Sequence, residues 1–482
     1  MTTALPPYDL SLRPDVMFDA SNEGYVQARA NEGAPVWMKR PSPAVMQALD
    51  RLREMPAGEH GLTDAVLRQD GPAGLMGLYV ALTQLSQQGW LCYTLSINDK
   101  PFATLVPHTH RFKYVNDAVA IVAGCRYVLS RFGYVHVVDG QFVAESPLGQ
   151  AALVMKDARA HRIVAALAEP ADVEGVAARI PDLTPDDVRR FMNMLALAGV
   201  LVQVDAHGTS ADEADAALSH WEFHDLLFHS KSRLGRQHAG YGGTFRMLGK
   251  AEPLPAHTFS PDGEIVSLRK PDMADLLSHD APFTAVLERR RSIRTYAEQP
   301  ITVDQLGEFL YRAAHVQQGM DDPAHGTQHS LRPSPNGGAI HELEIYPIVN
   351  RCDGLDAGLY HYDACKHHLR KVADKSKFVE GLIYSAWLTA NRESPVQVCL
   401  AITARFHRTQ WKYQSIAYAL HLKHVGVLYQ TMYLVATAMG LAPCALGGGD
   451  SDLFALATGS SYYTETTVGE FLLGSQPGGR NE

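Results

Sequence analysis

The stretch Arg405-Phe406-His407-Arg408-Thr409-Gln410-Trp411-Lys412-Tyr413 separates two segments of different character. Before it stands Val396-Gln397-Val398-Cys399-Leu400-Ala401-Ile402-Thr403, short and apolar, which reads as a buried strand. After it, residues 415–439 carry Ile416, Ala419, Leu420, Val425, Val427, Leu428, Met432, Leu434, Val435 and Met439, until Gly440 stops the run. That pattern is apolar nearly all round a helix, and such a helix is buried in a core or a subunit interface. Gln430, Thr431, Thr437, Gly440 and Pro443 interrupt the apolar residues, which argues against a transmembrane span. From about residue 281 onward helices and strands alternate, so a mixed α/β or α+β core is expected.

Working outward, Glu288-Arg289-Arg290-Arg291-Ser292-Ile293-Arg294-Thr295-Tyr296 concentrates guanidinium groups beside a hydroxyl. Arg presents paired donors in a planar fork, which suits a phosphate dianion; the plain alternative is a solvated basic face. Thr302 is a candidate N-cap for an amphipathic helix over residues 304–314, with Leu306, Phe309, Leu310 and Ala313 on one face. Arg332-Pro333-Ser334-Pro335-Asn336-Gly337-Gly338-Ala339 is a loop whose glycines let backbone approach a flat ligand, or an ordinary turn. It leads into Glu342-Leu343-Glu344-Ile345-Tyr346-Pro347-Ile348-Val349, a strand expected to pair with Leu359-Tyr360-His361-Tyr362. Lys412 beside Tyr413 is chemically suggestive, because a nearby ammonium favours phenolate; an accidental surface pair is the alternative. Ala445-Leu446-Gly447-Gly448-Gly449-Asp450 exposes backbone N–H groups that could donate to a ring nitrogen or a phosphate, or is merely a linker.

The 482 residues are 46% apolar and 20% charged, with a formal net charge of −9. That composition fits a folded protein of several domains and argues against a general nucleic-acid or anionic-membrane binder. No basic, then apolar, secretory signal opens the chain, and none of the six cysteines forms a C-x-x-C pair. Scattered thiols fit a reducing cytoplasm, and the histidines lack metal-ligand context, so no metal site is expected. Residues 1–25, with Pro6, Pro7 and Pro14, read as a flexible leader. Residues 26–150 read as a mixed α/β region with two hairpins, turning at Asn98-Asp99 and Asp139-Gly140. Residues 151–205 hold three short helices and a strand in a winged-helix-like order, the third helix capped by Thr184 and Pro185. Arg189 and Arg190 are offset there by Asp186 and Asp187, so peptide binding or scaffolding is expected ahead of DNA binding. Residues 206–280 read as a linker and extended connector holding a helix-like stretch at 221–228, and residues 281–482 as the catalytic domain.

The combination of R-R-S-x-R, a Pro/Gly loop before a Glu-x-Tyr strand, W-K-Y ahead of a long buried helix, and a glycine run resembles the FMN-dependent nitroreductase superfamily. Within it, the chain is similar to the SagB-type and cyanobactin-type thiazole/oxazole (azoline) oxidases. The matching segments include residues 221–228, Trp411-Lys412-Tyr413 and Val468-Gly469-Glu470-Phe471-Leu472-Leu473-Gly474. The resemblance implies an α+β homodimer with FMN at the subunit interface and a winged-helix-like peptide-recognition region ahead of the oxidase domain. It implies that Arg290, Arg291, Ser292 and Arg294 hold the phosphate and ribityl chain, and that Pro335, Asn336, Gly337 and Gly338 border the ring. The family usually carries Ser where Asn336 stands. Gln430 matches the Gln of the family's buried helix. Leu446, Gly447, Gly448 and Gly449 would lie near the flavin, and Lys412 and Tyr413 match the catalytic pair.

The implied activity is oxidation of thiazoline or oxazoline rings in a heterocyclised ribosomal precursor peptide, with O2 as final acceptor. The flavin carries the redox chemistry, and the protein need only bind, orient and deprotonate. Either Tyr413 or Lys412 could be the base. A cyclodehydratase is a candidate partner. An NAD(P)H-dependent nitro or quinone reductase, and a non-catalytic peptide-binding scaffold, are the competing readings.

Overall fold

The computed structural model describes residues 8–20, 24–30, 34–112, 121–236, 240–257 and 263–478. It divides into two compact units, residues 1–240 and 241–482.

The N-terminal unit is built on a six-stranded antiparallel sheet in the order Asp9–Leu12, Leu91–Ile97, Lys100–Pro107, Ala151–Met155, Gln141–Glu145, Tyr134–Val138. Both hairpins turn where the sequence places them. Asn98 and Asp99, and likewise Asp139 and Gly140, have positive φ, the geometry of a two-residue turn matched to strand twist. The helices Pro43–Glu54 and Glu59–Gln87 belong to this unit, the second broken at Gly71 ahead of Pro72. The helices Ala158–Ala166, Val173–Ala178 and Pro185–Leu197 lead to the strand Leu201–Val204, which pairs with Arg126–Leu129. Thr184 and Asp187 form a reciprocal capping box at the third helix.

The leader expected over residues 1–25 is corrected where the chain is described. Asp9–Leu12 pairs with Leu91–Ile97, and Leu10 and Leu12 are buried, because their alternation feeds the sheet's core face. Residues 1–7, with Pro6 and Pro7, lie outside the described residues.

The C-terminal unit is a seven-stranded antiparallel sheet in the order Ile265–Ser267, His368–Asp374, Gly358–Asp363, Leu343–Val349, Val398–Arg405, Glu465–Ser475, Leu441–Leu446. Side chains alternate between two cores. Leu400, Ile402, Phe471 and Leu473 pack with the helices Val303–Ala314 and Ala417–Ala438. Cys399, Ala401 and Leu472 pack with the helices Lys377–Thr389 and Ser451–Thr458. The sheet therefore has helices on both faces. Thr302 caps Val303–Ala314 through a capping box with Gln305.

One further expectation is corrected. The connector assigned to residues 206–280 is not structureless. In the first unit Ala211–Ala214 is helical, and the helix-like stretch expected at 221–228 stands as Phe223–Lys231. In the second, Gly242–Gly243 pairs with Tyr413–Gln414, and Ile265–Ser267 forms an edge strand. Backbone pairing carries no side-chain signature at a Gly-Gly step, so periodicity could not show it. The helix Ala417–Ala438, expected in a core or a subunit interface, leaves one row uncovered within the chain: Tyr418 and Leu422 are 46% and 42% exposed, with Gly426 and Gln430 continuing that row at four-residue spacing. No helix among the described residues is long and apolar enough to cross a membrane.

Candidate functional site

Lys412 ends the short helix Phe406–Lys412, and Tyr413 opens the strand Tyr413–Gln414. This helix-to-strand switch is anchored by Trp411 Nε1 donating to Ala251 O at 2.7 Å and by Phe245 N donating to Lys412 O at 2.9 Å. Lys412 Nζ stands 5.3 Å from the Phe245 ring centroid. The two neighbouring side chains converge on one point. A Cβ placed on Gly338 would lie 2.8 Å from Tyr413 Oη and 3.1 Å from Lys412 Nζ. Gly338 has φ +66, so lack of a side chain serves both conformation and space.

The turn presenting Gly338 is held from beneath. Asn336 Nδ2 donates to Glu342 Oε2 at 2.9 Å, and Asn336 Oδ1 accepts from His341 N at 3.1 Å. Gly337 N donates to His424 Nε2 at 2.8 Å. Glu342 Oε1 lies 2.7 Å from His424 Nδ1 and 3.0 Å from His421 Nδ1. Glu342 and His421 are fully buried. Burial alone would raise the Glu342 carboxyl, but the hydrogen bonds from His421 and His424 outweigh it and hold the group well below the usual carboxylate range. Burial, and then the Glu342 charge, raise the Tyr413 phenol. Pro335 is exposed at the start of the turn.

A second group forms where residues 290–294 meet the strand Leu441–Leu446. Ile293 N donates to Pro443 O at 2.8 Å. Ser292 Oγ lies 2.7 Å from Tyr433 Oη, and the Arg290 guanidinium stands 5.2 Å from the Tyr433 ring centroid. Arg291 turns back to donate to the carbonyls of Glu288 and Arg290. Arg294 lies close enough to Tyr296 and Cys444 for its charge to act on both. Among the described residues, no carboxylate forms an ion pair with Arg290, Arg291 or Arg294. Leu446 is buried at the end of its strand, and Gly447, Gly448 and Gly449 are exposed beyond it. A Cβ on Gly447 or Gly448 would meet open space, whereas one on Gly449 would collide with the Glu470 carboxylate.

The structure thus brings Lys412, Tyr413, Asn336, Gly337 and Gly338 together, and separately gathers Arg290 and Ser292 around Tyr433. Gln430 and the glycine run join neither group. The helix Ala417–Ala438 spans the two: nine residues separate His424 from Tyr433, about 14 Å along the axis. Glu342, His421, His424 and Tyr433 escaped the sequence reading. Two histidines three residues apart in an apolar helix were the available signal, weak because buried histidines are common.

Three family models tile the chain. The ThcOx helix turn helix domain matches residues 4–115, Cyanobactin oxidase ThcOx matches residues 127–238, and the Nitroreductase family matches residues 287–463. The protein MJ1384 of Methanocaldococcus jannaschii, described as a nitroreductase, is 27% identical over 188 residues, 38% of this chain and 85% of that one. The trifolitoxin-processing protein TfxB of Rhizobium leguminosarum bv. trifolii is 29% identical over 117 residues, 24% of this chain and 31% of that one. A nitroreductase-type crystal structure from Ralstonia eutropha is 20% identical, with a TM-score of 0.34, covering 47% of this chain and 96% of that one. With a helix-turn-helix match over residues 4–115, the oxidase's own model over residues 127–238 and a nitroreductase match over residues 287–463, the chain has the succession of domains of a cyanobactin oxidase ThcOx and is similar to that family along most of its length.

Proposed function

We propose that this oxidase uses FMN to convert thiazoline or oxazoline rings of a heterocyclised ribosomal peptide into thiazoles or oxazoles. The observation that carries the reading is the convergence of Lys412 Nζ and Tyr413 Oη on the Gly338 turn. The residues fit an FMN. Arg290 and Arg294 have no carboxylate partner among the described residues and are available to a phosphate, while Gly447 and Gly448 border open space. Bound FMN supplies a two-electron acceptor.

The chain's own residues hold the ring and take its proton. Tyr413, raised by burial and by the Glu342 charge, is a hydrogen-bond donor at neutral pH. A buried phenol of that kind can orient the ring, and Lys412, acting as the free amine, is the group we assign the carbon-bound proton. The ring loses two hydrogens in all, a proton and a hydride equivalent, with O2 as final acceptor and hydrogen peroxide as its reduced product.

The exposed row Tyr418, Leu422, Gly426 and Gln430 supports a homodimer in which the arginine group and the Gly338 turn complete each site from different copies. In the N-terminal unit, Tyr134–Val138 is an edge strand with Val135, Val137 and Val138 exposed, and Phe142 is exposed on its neighbour. An extended precursor segment can add there as a further strand. The test is mass spectrometry of a cyclised precursor incubated with enzyme and FMN. Loss of two hydrogens per ring supports the reading. Rapid flavin bleaching by NAD(P)H, with azoline peptide inert, supports a nitro or quinone reductase instead.

A further inference from the structure

Glu342 places a carboxylate in a fully buried position and surrounds it with three donors, which is more than a packing role needs. The proton positions follow from the partners. Gly337 N–H points at His424 Nε2, so that nitrogen carries the lone pair and the ring proton sits on Nδ1, 2.7 Å from Glu342 Oε1, with the Asn336 amide nitrogen also packed 2.9 Å from Nδ1. The His341 N–H fixes Asn336 Oδ1 as an acceptor and aims its amide nitrogen at the same carboxylate. Both consecutive residues of the turn, Asn336 and Gly337, are therefore tied to Glu342, one directly and one through His424.

The next residues are held in costly backbone geometry. Ala339 and His341 have φ of 54 and 47, in the left-handed region that non-glycine residues avoid. A turn of that kind persists only where its surroundings over-determine it. Its outward face is Gly338, on which Lys412 and Tyr413 converge.

We propose that Glu342 is a positioning residue for the Lys412–Tyr413 pair, acting through His424 and Asn336 to hold the Gly337–Gly338 turn against both side chains. The proposal rests on the reading of that pair as the catalytic one. Its negative charge also faces Tyr413 and favours the protonated phenol.

The experiment compares Glu342→Gln, His424→Leu and His424→Gln with Lys412→Ala and Tyr413→Phe, using full-length protein. Glu342→Gln is expected to lower kcat roughly 10- to 100-fold with KM little changed, the scale of a misplaced catalytic group. Its alkaline limb should move to lower pH, because removing the anion lets Tyr413 ionise sooner. Carbon-labelled tyrosine NMR, with Tyr413→Phe identifying the resonance, should show the same downward shift without any cofactor. His424→Leu keeps the carboxylate but removes the acceptor for Gly337 N–H; it should lose activity that His424→Gln largely restores. If Glu342→Gln does not fold, the two His424 variants decide the matter. Unchanged kcat and Tyr413 titration in Glu342→Gln, or equal activity in both His424 variants, overturns the proposal. Full activity in Lys412→Ala and Tyr413→Phe would instead overturn the assignment of the pair, which is a separate failure.

Discussion

The Ser292 hydroxyl lies 2.7 Å from the Tyr433 hydroxyl, and the same phenol accepts the Ala445 N–H at 2.8 Å. One side chain on the long helix thus ties the arginine-rich segment to the strand that runs into the glycine run. Tyr433→Phe should cost about 1 kcal/mol in stability, the scale of lost hydrogen bonds, and weaken FMN retention by loosening Ser292. Arg290→Ala with Arg294→Ala should weaken FMN far more, with little change in melting temperature. Flavin fluorescence after gel filtration, alongside thermal unfolding, reads both. Undiminished retention in the double variant refutes the phosphate assignment.

At Gly338, a methyl group would push aside the ends of two side chains. Its Cβ would stand 2.8 Å from Tyr413 Oη and 3.1 Å from Lys412 Nζ, and the residue's positive φ penalises any side chain. Gly338→Ala should therefore reduce turnover at least 10-fold, on the scale of a displaced catalytic group, while the protein still folds. Steady-state kinetics and circular dichroism check the two halves. Wild-type turnover would mean that neither Lys412 nor Tyr413 acts from this position.

Lys412→Ala should abolish turnover with flavin retained, and Tyr413→Phe should leave a small residual rate. The difference follows from Tyr413 serving as a donor, its phenol raised by burial and by the Glu342 charge. Single-turnover flavin absorbance separates them. A larger loss in Tyr413→Phe would return the tyrosine to the role of base.

The N-terminal unit carries its own pH dependence at Glu145. Burial alone would raise this carboxyl, but Lys231 at 3.0 Å, His108, and the hydrogen bonds from Tyr134 and Lys231 bring it down to about 2. A carboxyl depressed on folding contributes stability above its unfolded value, lost as pH falls through the folded one. Acid titration of the wild type should therefore lose stability between about pH 4.5 and 2. Glu145→Gln should be less stable at neutral pH and flatter across that window. Equal slopes in chemical unfolding of the two proteins would show that Glu145 is not the group responsible.

The parts of the architecture that depend on local pattern were legible in the chain. Asn98-Asp99 and Asp139-Gly140 mark hairpins because only a few residue types tolerate consecutive positive φ. Thr184 and Thr302 mark helix starts because a hydroxyl can satisfy an orphan N–H three residues on. The strand Asp9–Leu12 was not legible, since four residues are too short for alternation to be distinguished from an irregular tail. Nor was the pairing of Gly242–Gly243 with Tyr413–Gln414, which joins residues about 170 positions apart through backbone alone.

By itself, the amino-acid order determined which chemical groups are available: guanidinium forks near residue 290, an ammonium beside a phenol at 412–413, and glycines where backbone must come close. Those follow from composition and short-range periodicity. Only the tertiary structure decided which groups meet. The sheet brings Glu342 beneath a helix that begins 75 residues later, so a carboxylate, two histidines and an amide become one buried network. Hydrogen bonding at that range depends on packing in three dimensions, and no local pattern along the chain encodes it.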